Sequence, residues 1–110
     1  MIHVLDGPVT DQQVREMLEV HESYIKVAVD IQREILAGGG EFHADCESAL
    51  IEDGSHKKDI WGADWMPVQR VVRYTSLINI RPRVNRSMEI QEPTIRQRVE
   101  AITRKLLERA

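Results

Sequence analysis

Two hydrophobic rhythms divide the chain. From Thr10 onward, apolar or neutral side chains recur at Val14, Met17, Leu18, His21, Tyr24, Ile25, Ala28, Ile31 and Ile35, close to the 3.6-residue period of a helix. Thr10 and Gln13 have the spacing of a capping box, Glu22 and Lys26 form a favourable four-residue pair, and Gly38-Gly39-Gly40 supplies the stop. The spacing predicts one amphipathic helix over 11–36. Unbroken, it would measure roughly 39 Å at 1.5 Å per residue, longer than the diameter of about 33 Å expected for a domain of this size. Such a helix bends or overhangs, and an overhanging apolar stripe points to a homodimer.

After the triple glycine the period falls to two. Phe42-His43-Ala44-Asp45-Cys46-Glu47 alternates small or apolar residues with titratable ones, as does Leu77-Ile78-Asn79-Ile80-Arg81. The pattern predicts strands over 42–51, 59–66 and 71–81, separated by Glu52-Asp53-Gly54-Ser55 and Pro67-Val68-Gln69 as turns. Ala49-Leu50-Ile51 before Gly54 would equally close a short helix, leaving 43–53 open between the two. A last helix begins near Pro93, with Thr94 and Gln97 spaced for a capping box and Ile95, Val99, Ile102 and Leu106 in one stripe. With a short strand at Ile2–Leu5 the order is β-α-β-β-β-α. The expected fold is α+β: a small antiparallel meander of three to four strands against one long N-terminal helix and one C-terminal helix, in a single domain over 1–110.

Composition adds little to that picture, but charge does. Hydrophobic residues make up 42% and charged residues 30%, as in an ordinary folded domain rather than a disordered chain. One cysteine, Cys46, excludes an intrachain disulfide and a cysteine-rich zinc site, and no basic leader or apolar span is visible, so a cytoplasmic protein without membrane attachment is expected. The net charge of −3 conceals a division, since residues 1–64 carry a balance of −9 and residues 65–110 of +6. Nine of the ten cations in the second part are Arg, which suits fixed pairing with carboxylates, and an acidic chain gives phosphate backbones little long-range attraction, so nucleic acid is disfavoured.

Candidate chemistry follows from the same segments. On a strand, His43, Asp45 and Glu47 would share one face and offer an imidazole and two carboxylates to a hard or borderline divalent ion, although no cofactor is otherwise implied. Arg81-Pro82-Arg83-Val84-Asn85-Arg86-Ser87 brings three guanidinium groups into a short loop, where Arg81, Arg83 and Arg86 with Asn79 and Ser87 could hold a phosphate or carboxylate. Trp61 and Trp65 share a face around Gly62 and read as core aromatics, and Cys46 as an inward packing thiol. There is no Walker loop, dinucleotide fingerprint, serine elbow or helix-turn-helix signature.

The runs Gly39-Gly40-Glu41-Phe42-His43-Ala44-Asp45-Cys46-Glu47, Glu52-Asp53-Gly54-Ser55, Asp59-Ile60-Trp61-Gly62, Ser76-Leu77-Ile78-Asn79-Ile80-Arg81-Pro82 and Asn85-Arg86-Ser87 give the chain a specific likeness. It resembles, over nearly its whole length, a family of small bacterial and archaeal proteins known as a domain of unknown function. The resemblance implies one compact domain and carries no activity. The expected function is a non-enzymatic binding module, in a homodimer, that engages an anionic ligand or an acidic protein surface through the arginines. The alternative is a divalent-metal hydrolase or phosphotransfer enzyme built on His43, Asp45 and Glu47.

Overall fold

A computed structural model describes residues 1–110. Five strands, β1 (His3–Leu5), β2 (Ile25–Asp30), β3 (Ile35–Gly38), β4 (Ile60–Met66) and β5 (Val71–Arg73), form one antiparallel sheet in the order β1-β3-β2-β4-β5. Three α-helices accompany it: α1 (Asp11–Met17), α2 (His43–Glu52) and α3 (Pro93–Leu107). Short 3-10 turns cover Lys57–Asp59 and Leu77–Asn79. The class is α+β as expected, with more strands and a different order.

The largest correction concerns 11–36. The capping box at Thr10 forms, with its hydroxyl accepting from Gln13 N at 3.1 Å and the Gln13 side chain accepting from Thr10 N at 2.9 Å, but α1 stops at Met17 after two turns. The rest of the supposed helix is the hairpin of β2 and β3, in register from Val27 opposite Gly38 to Asp30 opposite Ile35. Every residue of β2 except Lys26, and every residue of β3, is buried. A strand covered on both faces loses its polar alternation, so its sequence mimics a helix stripe. The overhanging stripe that pointed to a dimer therefore does not exist.

The second correction is 42–51, a helix and not a strand. Asp45 at the third helical position accepts from Phe42 N at 3.3 Å, and Cys46 and Leu50, one turn apart, drive into the sheet. The third is 71–81, where the strand ends at Arg73 and the chain curls into the 77–79 turn. α3 starts at Pro93 as expected, but its cap is Glu92, whose carboxylate accepts from Ile95 N at 3.2 Å.

Two cores sandwich the sheet. On one face Trp61, Ala63 and Trp65 of β4 and Val27 and Val29 of β2 meet Val99, Ile102 and Leu106 of α3, together with Met17 of α1. On the other, Ala28, Ile35, Ala37 and Ile60 meet Cys46 and Leu50 of α2. Each buried Leu, Ile or Val contributes about 1.5–3 kcal/mol by leaving water. Ten-residue α2 covers only part of its face, and the sheet beyond its N-terminus stays open.

Candidate functional site

Along the open part of that face, strand register builds a ladder of charges. Lys26 of β2 lies opposite Asp64 of β4, and Asp64 opposite Arg73 of β5. Cross-strand neighbours of this kind stand about 5 Å apart, close enough for opposite charges to interact. Asp64 is nearly buried, and its two oxygens are divided: Oδ2 accepts from Arg73 Nη2 at 3.2 Å, and Oδ1 lies 2.9 Å from His43 Nε2. The same imidazole nitrogen is 2.9 Å from the Ala63 carbonyl oxygen. A carbonyl oxygen can only accept, so Nε2 carries the hydrogen and shares it between the two oxygens. His43 is thus a strut between the first turn of α2 and the sheet.

Lys26 has no such partner. Its ammonium makes no ion pair and lies 5.7 Å from the centre of the Phe42 ring, while the Arg73 guanidinium lies 5.4 Å from that of Tyr24. Around these groups is a cleft of about 590 Å3, closed on its other side by Thr75, Ser76, Leu77, Ile78 and Met88. His43 and Ala44 also line it, and first-turn N–H groups of a helix have no intrahelical acceptor. The arrangement offers an unpaired cation, a second cation, backbone donors and an apolar wall. His21 stands beside it, stacked on Tyr24 at 4.7 Å with its Nε2 3.1 Å from the Glu41 carbonyl.

The residues singled out from the sequence scatter. Of the metal set, His43 and Glu47 lie one turn apart on α2, but Asp45 points to the helix cap, and nowhere do three His, Cys, Asp or Glu side chains gather as metal ligands. Asn79 is buried within the protein's own framework: its Oδ1 accepts from Gly62 N at 2.7 Å, and its Nδ2 donates to Gly62 O at 2.9 Å, Met88 O at 3.0 Å and Tyr74 O at 3.3 Å. Arg81 donates to Lys58 O at 2.7 Å and to Ile60 O, and its guanidinium stacks 3.9 Å from the Trp61 ring centre. Burial pulls its pKa below the usual guanidinium value, against the opposing pull of Glu47 and Asp59. Ser87 accepts from Glu89 N at 3.1 Å. Of the three loop arginines, only the exposed Arg83 and Arg86 have guanidinium groups that make neither a hydrogen bond nor an ion pair, Arg83 with a left-handed φ of 69°.

Asn85 and Gly62 explain this economy. Asn85, buried, donates to the carbonyls of Asn79, Ser87 and Glu89 and accepts from Gln91 N at 2.9 Å, so it ties the loop into a knot. A Cβ on Gly62 would come 2.5 Å from that of Ser76, so glycine lets the 77–79 turn press against β4. Lys26, Tyr24, Asp64 and Arg73 were not legible as a site. The single clue was Asp64, one acid inside the otherwise apolar run from Ile60 to Met66.

Cys46 is buried, and desolvation pushes its thiol up to about 11, against the backbone N–H of Gly40. It is a packing residue, as expected. Finally, the chain belongs to the family described as protein of unknown function (DUF5674), whose model matches residues 3–106. No curated protein and no solved structure matches it. No helix is long and apolar enough to cross a membrane.

Proposed function

We propose that the protein is a non-enzymatic binding module whose cleft over the Lys26–Asp64–Arg73 ladder takes a ligand with an anionic head and an apolar body. The observation that carries this reading is the lone ammonium of Lys26. Asp64 is already shared by His43 and Arg73, so an incoming carboxylate or phosphate would meet an unpaired cation instead of displacing an existing pair. Tyr24, Phe42, Leu77 and Met88 give the body its apolar wall. Binding fits better than catalysis because His43 Nε2 and both Asp64 oxygens already hold the fold together.

Titration with phenyl phosphate and inorganic phosphate, followed by amide chemical shifts, tests the reading. Phenyl phosphate should perturb residues 24–26, 42–44 and 73–77 more strongly than inorganic phosphate. Lys26→Ala should weaken it about tenfold, the scale of one charge-assisted hydrogen bond, and added salt should weaken it too. If neither compound shifts these residues, or if Lys26→Ala has no effect, the cleft is not the site. Loss of binding only in the Arg83→Ala, Arg86→Ala double variant would move it to the loop.

A further inference from the structure

The cleft has a neighbour across the 77–79 turn. Leu77 and Ile78 also wall a second groove, of about 300 Å3, bounded by Glu47, Lys57, Lys58, Ile80 and Arg81. His43 and Ala44 border the first recess and Glu47 the second, so the two succeed one another along one turn of α2. Between them Leu77 is 73% exposed, and Phe42 and Ile80 are about half exposed. Lone surface hydrophobes are ordinary, but these three line a single track.

The charges on the track have an order. Lys26 stands at one end beside the mutually paired Asp64 and Arg73, and Lys57 and Lys58, exposed and without an ion pair, stand at the other, where Arg81 is clasped to the carbonyls of Lys58 and Ile60. In the middle sits Glu47, 8% exposed, whose carboxylate accepts no hydrogen bond and whose Oε2 is wholly buried. Arg81 borders the same groove but gives its N–H groups to the carbonyls of Lys58 and Ile60, so Glu47 keeps no donor of its own and repels a second anion.

We propose that this track is the docking groove for an amphipathic peptide segment of a partner protein, acidic at both ends and apolar in the middle. This rests on the anion-binding reading of the cleft and specifies its ligand. The terminal acids meet Lys26 and the Lys57–Lys58 pair, the apolar centre covers Leu77 and Ile80, and Glu47 sets a negative charge beneath that centre, where a further acid would be repelled. Charge complementarity selects this occupant over a nucleic acid, whose evenly spaced phosphates would set an anion against Glu47. The apolar residues of the second groove, Leu77, Ile78 and Ile80, are also all aliphatic, whereas single-strand binders use stacked aromatic platforms in a basic groove.

Calorimetric titration of the whole chain separates this proposal from the broader one. The probes are a peptide with Asp-Glu at both ends and Phe-Leu at its centre, a peptide of the same composition with the acids at its centre, oligothymidylate and phenyl phosphate. The end-acid peptide should bind most tightly. Lys57→Ala with Lys58→Ala should weaken it about fivefold, leaving phenyl phosphate unaffected, and Leu77→Ala should weaken it about tenfold. Leu77 is exposed, so thermal unfolding of that variant should match the parent and a folding defect would be visible.

If the lysine pair has no effect on the peptide while phenyl phosphate still binds, the cleft stands and the track is overturned. Equal or tighter binding of the centre-acid peptide or of oligothymidylate also overturns it. If phenyl phosphate and all peptides fail together, the cleft reading falls as well.

Discussion

Asn79 spends one side chain on four backbone contacts. Its amide faces Gly62 as another strand's peptide group would, closing β4 where β5 no longer reaches. Replacing it with Ala would strand the N–H and the carbonyl of Gly62, whereas the Met88 and Tyr74 carbonyls keep their bonds from Ser76 N and Ile90 N. Asn79→Ala should therefore cost about 2–4 kcal/mol, read as a lower urea midpoint with an unchanged m-value. A second residue-scale device joins sheet and helix: Tyr74 donates to Glu100 at 2.5 Å, and Arg104 donates to the same carboxylate at 2.8 Å. Burial, then the Glu100 bond, pushes Tyr74 up to about 12, while Tyr74 and then Arg104 hold Glu100 below its ordinary value. The two act at opposite ends of the pH scale. Glu100, depressed when folded, stabilises above its unfolded pKa of about 4.3 and loses that contribution as pH falls through the folded value. Tyr74, raised when folded, stabilises fully below about 10 and loses its contribution as pH climbs towards about 12. Tyr74→Phe should flatten the alkaline loss in a pH series of urea midpoints and raise the Glu100 pKa seen by carboxyl NMR. The positions of Asn79 and Arg81 stood out in the sequence, yet their use did not. Amides and guanidinium groups that suit a ligand suit the protein's own carbonyls equally well, and only the fold decides which carbonyl is near.

At the scale of elements, the missed boundaries share one physical cause. The chain turns at Glu22 and Glu34 with φ of 60° and 58°, left-handed conformations that glycine or asparagine would normally signal. Without that punctuation, α1, β2 and β3 read as one helix. Lys26 and Asp30 added to the illusion, since both look like a polar helix face while one enters the cleft and the other is buried at the head of the hairpin turn. Asp30 Oδ1 accepts from Gln32 N and Arg33 N, each at 2.9 Å, a local bond that makes the turn without glycine. β1, β4 and α3 were legible because their rhythm is uncontested. α2 was legible in part, through the apolar triplet before Gly54. Gly39 does follow the rule, with φ of 98° where β3 leaves the sheet for α2. A Cβ there would also overlap the Met1 carbonyl oxygen and the Met17 Cα. Gly39→Ala should destabilise by about 3 kcal/mol through combined backbone strain and overpacking, measured by thermal unfolding. Gly7→Ala, with open space around its position, is the control.

Over the whole molecule, the acidic and basic parts of the chain meet less than their charges suggest. Of the ion pairs formed, only Arg73–Asp64 and Arg109–Asp11 join residues 1–64 to residues 65–110. Much of the arginine surplus grips carbonyls instead: Arg70 holds those of Glu108 and Ala110, Arg81 those of Lys58 and Ile60, and Arg98 that of Ile31. Guanidinium groups used in this way fasten loops and the end of α3 to the sheet, and they leave acids elsewhere free to set the surface charge. The sheet has one more consequence for the protein in a crowded solution. Beyond β5 its longest strand is shut by two side chains rather than by a sixth strand, the Asn79 amide on Gly62 and the Arg81 guanidinium on Ile60, so resistance to strand exchange and fibril growth hangs on that pair. A chain that loses the amide bares the peptide groups of Gly62 at the middle of the edge, and its first failure on standing should be ordered self-assembly.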